Sequence, residues 1–233
     1  GSRQGWQEVP YVPTPAGLTE LAAGLQPLRA SCGREYWLVP GCSDRQGDIP
    51  DVMRGEETQL LGLLEEIGKD ALVVLPGTHS KWVRLREGVL EGFATCMTGE
   101  LYAVLVQHSI LGRLMQKGMP PDDAFVRGVC TGMEQTDLLH QLFGTRTLGL
   151  FDEVPAEGLG LYLSGLLIGS EIREGRQRFV TTDRPETIWL VGSSSLVEQY
   201  QQAFRALEQP CRVGPAHAAA CGLFSIGQSK GLI

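Results

Sequence analysis

LVVLPGTHSKWVRLREGVLEGFATCMTGE, residues 72–100, carries three predicted strands and the two turns between them. Leu72-Val73-Val74-Leu75 is short, apolar and β-branched, and Pro76-Gly77 ends it, so it predicts a buried strand rather than a helix. Beyond the turn, Trp82, Arg84 and Arg86 alternate with Val83 and Leu85, the period of a strand with two unlike faces. Glu87-Gly88 then supplies a second turn before Val89–Thr95, and the three strands form a meander. The first turn carries Gly77, whose backbone is unrestricted, the donors Thr78, His79 and Ser80, and the cation Lys81. Such a turn is suited to wrapping phosphate oxygens. The alternative is an ordinary hairpin with a polar tip.

The chain has 233 residues, of which 42% are hydrophobic, enough for a sizeable core. A formal net charge of -7 argues against a nucleic-acid surface, which would need clustered Lys and Arg. No apolar run approaches the ~20 residues of a membrane span and no signal segment opens the chain, so the expected setting is the cytoplasm. Cys32, Cys42, Cys96, Cys130, Cys211 and Cys221 include no CxxC pair and read as reduced core thiols. His108, His140 and His217 have no metal-ligand spacing, and no protein metal site is expected.

Working outward from the meander, strands and helices alternate, which predicts an α/β class. Residues 18–29 are expected to form one helix, with Leu18, Leu21, Leu25 and Leu28 on one face, followed by a strand at Tyr36–Val39. After Val52-Met53-Arg54, Gly55 opens a helix whose first turn holds Glu56 and Glu57, where the helix dipole favours negative charge. Gly68-Lys69-Asp70 is the expected domain junction. Residues 100–114 and 123–143 read as helical, and Leu159–Glu174 as a strongly apolar helix whose Gly165 and Gly169 share a face that allows close approach to a strand or ligand, with close packing the expected cause. Thr187–Val191 reads as a buried strand running into Gly192-Ser193-Ser194-Ser195 and a helix over 196–207, a common setting for a nucleotide. Cys211–Val213 reads as an edge strand, and 215–226 as a small-residue helix ending at Gly227. From Asp70 onward this order of elements is that of a ribonuclease-H-like half-domain.

Several blocks resemble the 2-dehydro-3-deoxygalactonokinase family, sugar-acid kinases of the actin-like ATPase superfamily. They are Gly1–Trp6, Val52-Met53-Arg54-Gly55-Glu56-Glu57-Thr58-Gln59, Leu75–Val83, Met97-Thr98-Gly99-Glu100 and Leu163–Gly169. The resemblance implies a ribonuclease-H-like (actin-like ATPase) kinase fold. It divides the chain into the remainder of an N-terminal domain, 1–68, on the sugar-acid side, and a nucleotide-side domain, 69–233, with a helical insertion at about 100–150. Family members carry a second glycine-bearing hairpin before the point where this chain starts. The chain is therefore expected to be a truncated form with little turnover of its own.

The implied activity is ATP-dependent phosphorylation of the 6-hydroxyl of 2-dehydro-3-deoxy-D-galactonate, with Mg²⁺, in galactonate breakdown. A kinase for another 2-keto-3-deoxy sugar acid and an inactive binding module are the alternatives. The expected partners are the sugar acid and ATP, without nucleic acid or membrane, and homodimer formation stays open. Glu56 takes the place of the base found at this helix start in related sugar kinases, with Glu57 its rival. Arg3, Trp6, Arg54 and Glu100 are expected on the sugar acid; a guanidinium such as that of Arg54 fits a carboxylate. Gly77, Thr78, His79, Ser80 and Lys81 are expected on the phosphates, and Gly192, Ser193 and Ser194 on the adenosine.

Overall fold

The structure, a computed structural model, describes residues 9–119, 123–180 and 187–233. Among these, the chain runs β1 (Val12–Pro13), α1 (Leu18–Ala23), β2 (Gln26–Arg29), β3 (Glu35–Leu38), β4 (Cys42–Asp44), β5 (Asp51–Met53) and α2 (Glu56–Ile67). The meander follows as β6 (Ala71–Leu75), β7 (Ser80–Arg86) and β8 (Val89–Cys96). Then come α3 (Thr98–His108), a 3₁₀ turn (Leu111–Leu114), α4 (Ala124–Glu134), α5 (Leu138–Leu150) and α6 (Leu159–Phe179). The chain closes with β9 (Ile188–Leu190), α7 (Ser194–Ala206), β10 (Cys211–Val213) and α8 (Ala218–Lys230).

Five strands form one sheet in the order β10-β9-β6-β7-β8, with β9 and β10 parallel. Three consecutive strands joined by tight turns, followed by two that return by helical crossovers, give the ribonuclease-H-like order expected from the sequence. Glu87 and Gly88 both have positive φ, 50° and 83°, the pair a two-residue hairpin turn of type I′ demands. β6 is buried along its whole length, as its unbroken apolar run predicts.

By internal contacts the chain forms two units. One comprises the described residues up to Val73 with Val83–Thr95 and Gly214–Ile233; the other comprises Val74–Trp82 and Cys96–Val213. The first unit holds the small sheet β1-β4-β5 and the β2-β3 hairpin. In it α2 packs on α8 at glycines: a Cβ on Gly62 would lie 1.8 Å from the Ala218 carbonyl oxygen, and one on Gly222 equally close to that of Thr58. In the second unit α4 packs on α6 in the same way, where Cβ atoms on Gly165 and Gly169 would stand 2.1 and 2.2 Å from the carbonyl oxygens of Phe125 and Val129. The close packing is thus present, but the partner is another helix rather than a strand or ligand.

Three expectations are corrected. The single helix over 18–29 stops at Ala23, and Gln26–Arg29 pairs antiparallel with Glu35–Leu38. Pro27, which has no N–H to donate and would crowd the preceding turn, belongs to that strand rather than to a helix interior. The last helix runs past Gly227 to Lys230, capped by Gly231 at φ +76°. Of the six cysteines, all free, Cys42 is buried while Cys32 and Cys221 are exposed, so the thiols are not a core set.

Candidate active site

In the second unit, β6 delivers the chain to Pro76 and β7 resumes at Ser80, leaving Thr78 and His79 exposed and Gly77 half-buried. The start of α3 lies across this turn. Glu100 N–H donates to the Thr78 carbonyl at 3.0 Å, and Gly99 allows the approach, since a Cβ there would be 2.6 Å from the Gly77 carbonyl oxygen. The Glu100 carboxylate meets His79 Nε2 at the surface. On the other side, Val191 N–H donates to the Val74 carbonyl at 3.0 Å, and Gly192 passes so close that a Cβ would stand 3.3 Å from the Pro76 carbonyl oxygen. Gly192, Ser193 and Ser194 are exposed, and α7 begins at Ser194.

These elements surround a cavity of about 320 Å³ lying wholly within this unit. Gly77, Thr78, Thr98 and Gly99 form one wall; Tyr102, Leu161, Leu167 and Ile168 give an apolar wall; Leu196, Gln199 and Tyr200 of α7 close it. Gln199 Nε2 donates to Ser164 Oγ at 2.9 Å, fixing two of the polar groups in a mostly apolar lining. An apolar space with a few placed polar groups is the usual form of a small-molecule site.

Two residues expected on phosphate point inward instead. Ser80 is fully buried, its hydroxyl 3.1 Å from Tyr200 Oη, and Lys81 is buried with Nζ donating to the His79 carbonyl at 2.9 Å. They brace the turn from within, while Gly77, Thr78 and His79 are at its surface.

Behind the cavity is a polar cluster that the sequence reading missed. Glu171 of α6 is 3% exposed and accepts hydrogen bonds from Trp82 Nε1 (2.9 Å), Tyr200 Oη (2.5 Å) and Thr98 Oγ1. Burial pushes its carboxyl above the usual range, and hydrogen bonding from these three donors and from Ser80 acts against that shift. Nothing in the local sequence marks this glutamate, because its donors come from positions 82, 98 and 200.

In the first unit, Gly55 at φ +108° turns the chain into α2. The first-turn carboxylates fold back on the entering backbone: Glu56 Oε2 accepts from Arg54 N–H at 3.1 Å and Glu57 Oε2 from Gly55 N–H at 2.6 Å. Their surroundings differ sharply. Glu56 is half-buried, whereas Glu57 is 1% exposed and sits near Cys42. Burial lifts the Glu57 carboxyl from 4.5 to about 7, and its charge in turn helps raise the Cys42 thiol, itself chiefly desolvated, to about 12. The Arg54 guanidinium lies 4.6 Å over the Tyr11 ring and donates from Nη2 to the Val9 carbonyl at 2.7 Å, while its Nε is buried without a partner. Arg3 and Trp6 lie outside the described residues.

The sequence pattern of the family described as 2-keto-3-deoxy-galactonokinase matches residues 1–226, nearly the whole chain. The chain belongs to that family. This kinase is 38% identical over 211 residues to the 2-dehydro-3-deoxygalactonokinase of Escherichia coli (strain K12), an alignment covering 89% of the chain and 68% of the relative. It is 39% identical over 211 residues to a protein of Rhizobium meliloti (strain 1021) named as a probable 2-dehydro-3-deoxygalactonokinase, covering 88% and 68%. A crystal structure of a Sinorhizobium meliloti protein carrying the same assignment superposes with a TM-score of 0.87 at 36% identity, covering 98% of this kinase and 77% of that chain. Among the described residues no helix is long and apolar enough to cross a membrane.

Proposed function

We propose that this kinase transfers the γ-phosphate of ATP to the 6-hydroxyl of 2-dehydro-3-deoxy-D-galactonate, a step of galactonate breakdown in the cytoplasm. The observation that carries the reading is a family match over residues 1–226 in a chain whose glycine turn edges a cavity of about 320 Å³. The volume and the mostly apolar lining suit a nucleoside, and the exposed backbone of residues 77–79 at its rim suits the phosphates.

Phosphoryl transfer asks the protein mainly to position the two substrates and to stabilise spreading charge. Gly77, Thr78 and His79 would hold the β- and γ-phosphates, with Ser80 and Lys81 holding the turn itself. Gly192, Ser193 and Ser194, beside Pro76, would meet the adenosine. Glu56 is assigned as proton acceptor for the attacking hydroxyl, because its carboxylate is partly accessible while that of Glu57 is enclosed. Arg54 would bind the substrate carboxylate, its orphaned Nε and stacking on Tyr11 presenting a fixed guanidinium.

Magnesium, when bound, neutralises charge on the β- and γ-phosphates. Among the described residues no group of three or more His, Cys, Asp or Glu is arranged to enclose a metal ion. A magnesium ion carried by phosphates and water needs only one or two carboxylates; Glu100, which the resemblance puts on the sugar acid, lies beside the turn and would serve the ion instead. The test is a coupled kinase assay of the full-length protein with ATP and both epimeric keto-deoxy acids. Turnover of 2-dehydro-3-deoxy-D-galactonate supports the assignment; turnover of the gluconate isomer alone refutes it.

A further inference from the structure

Glu171 has no place in the reaction just described, yet it joins the three elements that shape the cavity. Its Oε1 holds Trp82 of β7; its Oε2 holds Thr98 at the start of α3 and Tyr200 of α7. Thr98 and Tyr200 both line the cavity, and Ser80, bonded to Tyr200, ends the phosphate turn. In its ionised form this carboxylate accepts only, and both hydroxyls then point their hydrogens at it. Tyr200, having given its hydrogen to Glu171, can only accept from Ser80 at 3.1 Å. The single Ser80 hydrogen, when given to Tyr200, is withdrawn from the Gly77 carbonyl 3.5 Å away and leaves the Ser80 oxygen to accept from Gly77 N–H at 3.4 Å. The ionised carboxylate thus sets the direction of a chain that runs from the turn, through Ser80 and Tyr200, to α6.

We propose that Glu171 is a positioning residue: it locks the turn 76–80, the start of α3 and the cavity face of α7 into one arrangement and thereby sets the affinity for nucleotide. The link to affinity rests on the reading of this cavity as the nucleotide site. The positioning role stands on the hydrogen bonds alone. Glu171→Gln probes it without changing volume. Trp82 Nε1 can only donate, so the amide oxygen must face it, and the amide NH₂ then turns to Thr98 and Tyr200, whose hydroxyls become acceptors. Every bond is replaced, but the chain to Gly77 runs backwards.

The experiment has two arms on the intact protein. Amide hydrogen exchange without ligand should show faster exchange at residues 77–81 and 98–100 in Glu171→Gln, with Leu72–Leu75 unchanged. Calorimetric titration with ATP and Mg²⁺ should show affinity weakened about tenfold or more, and in turnover the KM for ATP should rise while that for the sugar acid holds. Tyr200→Phe should reproduce part of the loss, and the double variant should be no weaker than Glu171→Gln alone, since both break one chain. Unchanged exchange in the two segments overturns the proposal, as does unchanged ATP affinity in both single variants. If the unaltered protein binds no ATP while the variant still loosens those segments, the nucleotide reading falls and the positioning role stands.

Discussion

Replacing Glu57 with glutamine isolates the cost of burying its charge. In the folded protein the carboxyl titrates near 7; in the unfolded chain it returns to its ordinary 4.5. Folding therefore takes up a proton between those values, and stability falls as pH rises through that window. The stabilising preference for the protonated form is complete below 4.5 and lost above 7. A displacement from 4.5 to about 7 is worth about 3 kcal/mol. The substituted amide keeps an oxygen for the Gly55 N–H and fills nearly the same space, but does not titrate. Urea unfolding of both proteins at pH 4.5 and pH 8 reads the effect, because all other titrating groups cancel in the difference. Relative to the unaltered protein, Glu57→Gln should gain about 3 kcal/mol between the lower and the higher pH. A difference independent of pH, or one of opposite sign, would refute the buried, proton-retaining carboxyl.

In the full-length enzyme Glu56→Gln should lower kcat for the sugar acid by about 10²- to 10⁴-fold with the KM for ATP unmoved, the usual loss on removing a general base; loss of kcat in Glu57→Gln instead, with Glu56→Gln active, would move the assignment by one residue. Gly77→Ala should fold normally, stability shifting within about 0.5 kcal/mol, because no atom outside its chain neighbours lies closer than 3.9 Å to the added Cβ. It should nevertheless raise the KM for ATP about tenfold, and an unchanged KM counts against phosphate contact at this turn. Gly169→Ala forces a methyl to within 2.2 Å of the Val129 carbonyl oxygen, a backbone atom, and should cost about 2 kcal/mol or more in thermal or urea unfolding.

What the sequence made legible follows from how local each signal is. The meander showed itself because alternation at Trp82–Arg86 and the Glu87-Gly88 turn are determined by neighbours in the chain. The same holds for Gly55 as the opening of α2 and for the Gly165/Gly169 pair as a packing face. The β2-β3 hairpin was obscured by leucines at helical spacing, although Pro27 carried the contrary signal. Burial was harder to foresee. Ser80, Lys81 and Glu57 are polar residues in exposed-looking segments, and only the tertiary structure shows that the first two brace a turn and the third lies enclosed beside Cys42. Glu171 was invisible for the strongest reason, since its meaning lies in donors scattered across more than a hundred residues and no one segment contains it.

A crystal structure of the protein with a non-hydrolysable ATP analogue and 2-dehydro-3-deoxy-D-galactonate tests the central assignment most directly. Phosphate oxygens should be hydrogen-bonded to the backbone of residues 77–79, the nucleoside should lie in the cavity walled by Tyr102 and Gln199, and the 6-hydroxyl should meet the Glu56 carboxylate. Phosphates held elsewhere while that cavity stays empty, or a sugar acid with no contact to Glu56, would contradict it.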